Sequence, residues 1–163
     1  MSKFATALGK NFSDKKDELR IRTFDIGSHT FKVKVPLTVE YDTMQKRMND
    51  IDKDLVQKYY DDMAKSYLEK KKENKDNPDI VYKTDDIEIE GRSLKESANN
   101  KVILEKRITE MFKLIVPEDG EFDMDTITYA DIDEFMPFPV QMEMIEAISN
   151  AVSPSYKGNR GKS

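Results

Sequence analysis

The chain ends in "GNRGKS", residues 158–163, and Gly161, Lys162 and Ser163 are the residue types that close a phosphate-binding loop. Such a loop needs a glycine five residues before the Gly-Lys pair, a buried strand ahead of it, and a helix behind it whose N-terminal amides hold the phosphates. Tyr156 stands at the glycine position, the preceding element reads as a helix closed by Pro154, and the sequence offers no helix after Ser163. The tripeptide therefore reads as part of a flexible polar tail. His29 is the only histidine and sits beside Gly27, so it reads as a turn residue tolerant of unusual backbone angles. Asp25 is near enough in sequence to orient it, but no serine nucleophile has a supporting pattern and there is no cysteine, so no catalytic triad is expected. The acidic runs "DDIEIE", "EDGEFDMD" and "DIDEF" suggest cation binding, yet none has the ligand order, glycine and terminal glutamate of a calcium loop. Two carboxylates could hydrolyse a glycosidic bond, but nothing in the sequence marks any two of the 32 acidic residues as buried. A solvated acidic face is the simpler account. No catalytic residue, metal site or cofactor is expected, and the chain is read as a non-enzyme.

These residues belong to a chain of 163 with 36% charged and 37% hydrophobic residues and a net charge of −5. The length suits one domain with a lean core. The negative charge gives no general attraction to nucleic acid or to an anionic membrane surface, and no apolar run approaches the roughly 18 residues of a membrane span. The start, "MSKFATALGK", lacks the apolar core of a secretory signal, so the chain is expected to stay where it is made.

The elements follow from periodicity. Residues 1–21 mix Phe4, Leu8 and Phe12 with charge and read as a partly ordered arm. Residues 22–35 alternate around Gly27, with Phe31, Val33 and Val35 on one face, and predict a β-hairpin stopped by Pro36. From 37 to about 74, Met44, Met48, Ile51, Leu55, Tyr59, Met63 and Tyr67 recur at steps of three or four. That stripe predicts one long helix, or two with a break near 49–52 where Asn and Asp favour caps. "IVYK" and "DIEIEGRS" suggest a second short hairpin or an added edge. Ser93 and Glu96 are spaced as a capping box opening a helix over 93–115, ended by Pro117, and Thr128 and Asp131 are spaced as another over 129–135. A last helix over 138–152 has Pro139 in its first turn and Pro154 as its stop. The fold class is thus α+β, mainly helical, with one globular domain over 22–153 and a flexible tail over 154–163.

Nine methionines, with no tryptophan and no cysteine, are the one informative excess. Met fills irregular core gaps, and flexible Met-rich surfaces also accept varied partner helices; the second use requires partial exposure. Met142 falls off the Val140, Met144, Ile148 stripe, and "FMPFP" adds two phenylalanines beside prolines. A partner-binding surface is therefore expected at Phe135, Met136, Phe138, Val140, Met142, Met144, Ile145 and Ile148, with Met44 and Met48 as further candidates.

The stretches "KKDELRIRTFDIGSHTFKVKVPLTVEYDTMQKR", "ITYADIDEFMPFPVQMEMIEAISNAVSPSYK" and "GNRGKS" together resemble the tail assembly chaperones of long-tailed, siphovirus-type bacteriophages, over roughly half the chain. The resemblance implies a non-enzymatic protein that keeps the coiled-coil tape measure protein soluble and promotes assembly of the tail tube, with the major tail tube protein and a longer form of the same chain as further partners. It also implies a minus-one ribosomal frameshift near Gly161 and Lys162 that appends a further domain. Residence in the host cytoplasm and absence from the mature virion follow from that role. The rival reading is a structural virion component or adaptor of the tail, held by its arm and by hairpin edges that add to neighbouring sheets.

Overall fold

Gly9 has φ 90°, a backbone angle that side-chain-bearing residues avoid, and it separates two short helices in the computed structural model, which describes residues 2–154. The tail beyond Pro154, including the Gly161–Lys162 pair, lies outside the described residues. The helices are α1 (Lys3–Ala7), capped by the Ser2 hydroxyl, and α2 (Lys10–Lys15). A single 3-10 turn, Glu18–Arg20, leads into strand β1 (Ile21–Ile26), and Gly27–Ser28 turns the chain into β2 (His29–Lys34). Gly27 takes φ 61° at the first turn position, the angle a tight two-residue hairpin requires. His29 is thus the first residue of a strand rather than part of the turn.

Helix α3 (Thr38–Asn49) and helix α4 (Lys53–Glu69) resolve the 37–74 stripe into two helices. The break is made by Asp52, whose carboxylate accepts from the amides of Asp54 (3.0 Å) and Leu55 (3.2 Å), an N-cap that ends one helix by starting the next. Strands β3 (Ile80–Tyr82), β4 (Ile87–Ile89) and β5 (Arg92–Ser93) follow, then α5 (Leu94–Phe112). The Glu96 amide donates to the Ser93 hydroxyl at 3.1 Å, one half of the expected box. The expected helix to residue 115 stops at Phe112, because Ile115 and Val116 form a short strand, β6. Both are β-branched and Val116 precedes Pro117, which disfavours helical backbone. A 3-10 turn, Met124–Thr126, precedes α6 (Tyr129–Phe135) and α7 (Phe138–Val152).

The protein is therefore α+β and mainly helical, with two small antiparallel sheets among the described residues, ordered β1-β2-β6 and β3-β4-β5. The chain divides into two compact units: one is built from residues up to Gln45 together with those from Ile108 onward, the other from Lys46–Arg107.

In the first unit β1 and β2 pair from Ile21↔Lys34 to Ile26↔His29, and β6 adds to the outer side of β2 through Lys32↔Val116 and Val33↔Ile115. Helix α7 packs on β1 and β2. Its buried residues are Gln141, Met144, Ile145, Ile148 and Ala151, and Val33 is buried in the sheet. Arg22 of β1 donates to the carbonyls of Ala151 (2.8 Å) and Ser153 (2.7 Å), which satisfies orphan acceptors and places a cation at the helix C-terminus. The arm, expected to be partly ordered, is helical but α1 and α2 bury no residue.

In the second unit Tyr60 and Ala64 of α4, Ile87 of β4 and Ala98 of α5 form a buried cluster, with Val56, Tyr59, Met63, Tyr67, Ile80, Tyr82, Ile89 and Leu94 packed against it. The inward face of α4 is thus centred on Tyr60 and Ala64, one position beyond the expected Tyr59 and Met63. The expected second hairpin is a three-stranded meander, with Ile80↔Ile89 and Ile89↔Arg92 as pairs.

Candidate functional site

The corner between α6 and α7 carries the exposed part of the expected surface, and local chemistry builds it from the first residue. Thr128 and Asp131 close a reciprocal capping box: the Thr128 hydroxyl accepts from the Asp131 amide at 3.3 Å, and the Asp131 carboxylate accepts from the Thr128 amide at 3.0 Å. The Thr128 amide, then its hydroxyl, hold the Asp131 carboxyl below its ordinary pKa. Ile132 anchors α6 by burial. The helix ends where the Met136 amide reaches the Ile132 carbonyl at 2.8 Å, and Pro137 then serves as the N-cap position of α7.

Gln141 locks this corner. Its side chain is fully buried; Nε2 donates to the Met136 carbonyl (2.8 Å) and to Asp133 Oδ1 (3.2 Å), and Oε1 accepts from the Tyr129 hydroxyl (2.9 Å). One amide thereby ties both helices and the intervening turn together with its polar groups satisfied. On the outside of the locked turn Phe135 is 83% exposed and Phe138 49% exposed. Two large rings three residues apart and in water are an apolar feature that the fold itself does not use.

The ten expected surface residues separate into three sets. Phe135 and Phe138 are exposed; Met136, Val140, Met142 and Met48 are half-buried. Met144, Ile145, Ile148 and Met44 are interior and are not available to a partner, because the first three lie on the α7 face packed against the sheet and Met44 is the buried residue of α3. Sequence reasoning missed Gln141, since a glutamine among apolar residues carries no mark of burial until its three partners are placed. It also missed a charge pattern that was visible: between Lys113 and Lys157 there is no lysine, arginine or histidine, while ten aspartates and glutamates occur. The rings at the corner thus stand in a strongly acidic segment.

His29 Nε2 lies 3.5 Å from Glu118 Oε1, and both side chains are more than half exposed, so solvent screens the pair. The histidine ring meets Phe31 edge-on at 4.5 Å, and Phe31 stacks on Phe24 at 5.3 Å. His29, Phe31, Ile115, Pro117 and Glu118 line a groove of about 580 Å³ beside β2. Two carboxylates of α5 are buried despite the absence of any sequence mark: Glu105 accepts from the Tyr59 hydroxyl at 2.9 Å, and Glu110 pairs with Lys113 at 2.9 Å. Each has its own structural partner. Among the described residues no group of three or more His, Cys, Asp or Glu side chains is placed to hold a metal ion, and no helix is long and apolar enough to cross a membrane.

Comparison of the chain with protein-family models, with curated proteins and with solved structures finds no match.

Proposed function

We propose that this chain is an assembly chaperone for the tail of a long-tailed bacteriophage, acting without catalysis by holding an amphipathic helical segment of the tape measure protein. The observation that supports the reading is the α6–α7 corner: Phe135 and Phe138 project from a turn clamped by Gln141, within a segment that has acidic residues and no basic ones. A helix with an apolar stripe flanked by lysine or arginine matches that surface in both respects, the rings supplying contact area and the carboxylates steering and register. Exposed aromatic anchors on a rigid support keep the ordering cost of binding low. The same reading places the protein in the host cytoplasm and the tail tube protein among its partners, with a frameshifted long form arising near Gly161 and Lys162.

Co-expression tests it. The tape measure protein should be recovered in the soluble fraction with this chain and lost to aggregate without it, and the pair Phe135→Ser, Phe138→Ser should remove most of the effect while leaving the circular dichroism of the chaperone unchanged. Equal solubility of the tape measure protein with and without this chain sinks the proposal. A second reading, a structural tail component, draws on the exposed Phe4, Leu8 and Phe12 of the arm. Stoichiometric presence of the chain in purified particles would favour it.

A further inference from the structure

The first sixteen residues are unlike the rest of the molecule in charge and in packing. Lys3, Lys10, Lys15 and Lys16 face only Asp14, a net +3 in a chain whose total is −5, so the remainder carries −8. Helices α1 and α2 are five and six residues long and contain no buried residue. Isolated helices shorter than about 12 residues are marginal in water, and most helical stability comes from packing an apolar face. Here the apolar residues recur every fourth position, Phe4, Leu8 and Phe12, and they are 72%, 44% and 43% exposed. The arm is therefore a basic segment whose apolar row, Phe4 above all, is only partly covered within its own chain. The α6–α7 corner is its complement: Phe135 and Phe138 are exposed in the same chain at the same time, beside Glu134, Glu143 and Glu146, which are also exposed.

We propose that the arm of one copy docks on the α6–α7 corner of a second copy, setting Phe4, Leu8 and Phe12 against Phe135 and Phe138 and the lysines against the acidic segment. Reciprocal exchange of two arms closes a two-fold dimer, in which each chain gives the same segment and receives the same segment. Such an exchange needs no client and does not depend on the chain being a chaperone.

Sedimentation velocity on the pure full-length chain, over a concentration series in low and high salt, reads the outcome directly. A dimer is expected whose dissociation constant rises at least about tenfold from low to high salt, since exposed charge pairs are screened. Replacing Lys3, Lys10, Lys15 and Lys16 by Glu should weaken association at least about tenfold, and so should Phe135→Ser with Phe138→Ser. The decisive arm is a charge swap. The lysine-to-glutamate chain and a chain carrying Glu134→Lys, Glu143→Lys and Glu146→Lys should each be monomeric alone and associate when mixed, because mixing restores both contacts. All of these positions are exposed, and circular dichroism checks that each variant is folded. A chain that stays monomeric at every concentration overturns the proposal. So does a dimer indifferent to the arm lysines and to salt but lost with the two phenylalanines, which would show two corners meeting face to face. Failure of any mixed pair to associate, with each single variant monomeric, also counts against arm exchange.

Discussion

The carboxylate of Asp86 joins three pieces of the second unit. It accepts from the Ile87 amide at 2.8 Å, from the Lys95 amide at 3.1 Å in the first turn of α5, and from the Ser93 hydroxyl. Burial pushes its carboxyl up, but the hydrogen bonds from Ser93, Lys95 and Ile87 outweigh that, and its pKa lies below the ordinary value. A depressed folded-state pKa means stabilisation that is fully present above the unfolded value and is lost as the pH falls through the folded one. Asp86→Asn should therefore cost about 1–2 kcal/mol near neutrality, the size of a lost helix cap with charge-assisted hydrogen bonds. Urea denaturation followed by circular dichroism at pH 7 and pH 3 checks the sign: the gap between variant and parent should narrow at the lower pH. A gap of equal size at both would show that the charge on Asp86 is not what stabilises. Thr128 and Asp131 were legible in the sequence because their reciprocal bonds join residues three apart. Asp86 was not, because Ser93 and Lys95 are seven and nine residues away, across a strand pair, and Gln141 was hidden for the same reason.

Elements whose causes are periodic were readable, and those whose causes are a neighbour were not. The hairpin of β1 and β2 and the whole of α7 follow from alternation and a 3.6-residue stripe, while the Asn and Asp residues before α4 mark where a break can fall without deciding between one helix and two. Strand β6 did not, since two residues have no period; what makes it a strand is the edge of β2, with Pro117 stopping it. The helix-to-sheet tie by Arg22 belongs to the same class. Its guanidinium is 129 and 131 residues in sequence from the carbonyls it meets, and only a finished fold brings them together. Removing it leaves the last carbonyls of α7 without that donor and the helix end without its cation. Arg22→Ala should lower stability by about 1–2 kcal/mol, and Arg22→Lys should restore only part of the loss, since both bonds leave one nitrogen, Nη1, whose two hydrogens are fixed in the guanidinium plane, whereas a lysine ammonium sits on a flexible stem. Thermal melting of the three proteins ranks them. Full rescue by lysine would mean that charge alone, and not the geometry of the donors, holds the helix end.

At the scale of the molecule, composition describes an acidic chain of one-domain length, and both statements conceal a division. The charge is divided between a basic arm and an acidic remainder, and the fold between two units, the second of which is one continuous stretch, Lys46–Arg107. Sequence did not show that second division because no change in composition and no Gly- or Pro-rich linker marks it; the boundaries fall inside α3 and α5. What the stretch does have is a core of its own, in which Ala64 of α4 and Ala98 of α5 are both fully buried. Small residues at such positions let helices and strands approach closely, and a larger side chain forces them apart at a cost of about 1–3 kcal/mol. If each unit opens on its own core, Ala64→Leu should act on one of them alone. Native-state hydrogen exchange should then show amides of Ile80–Tyr82 and Ile87–Ile89 losing protection about tenfold or more, while those of Ile21–Ile26 and His29–Lys34 keep theirs. Equal loss in both sheets would show a single cooperative body, in which the strain at Ala64 is felt by the whole chain. A loss confined to the β3-β4-β5 sheet would mean that the unit bearing Phe135 and Phe138 can keep its α6–α7 corner intact while the other opens.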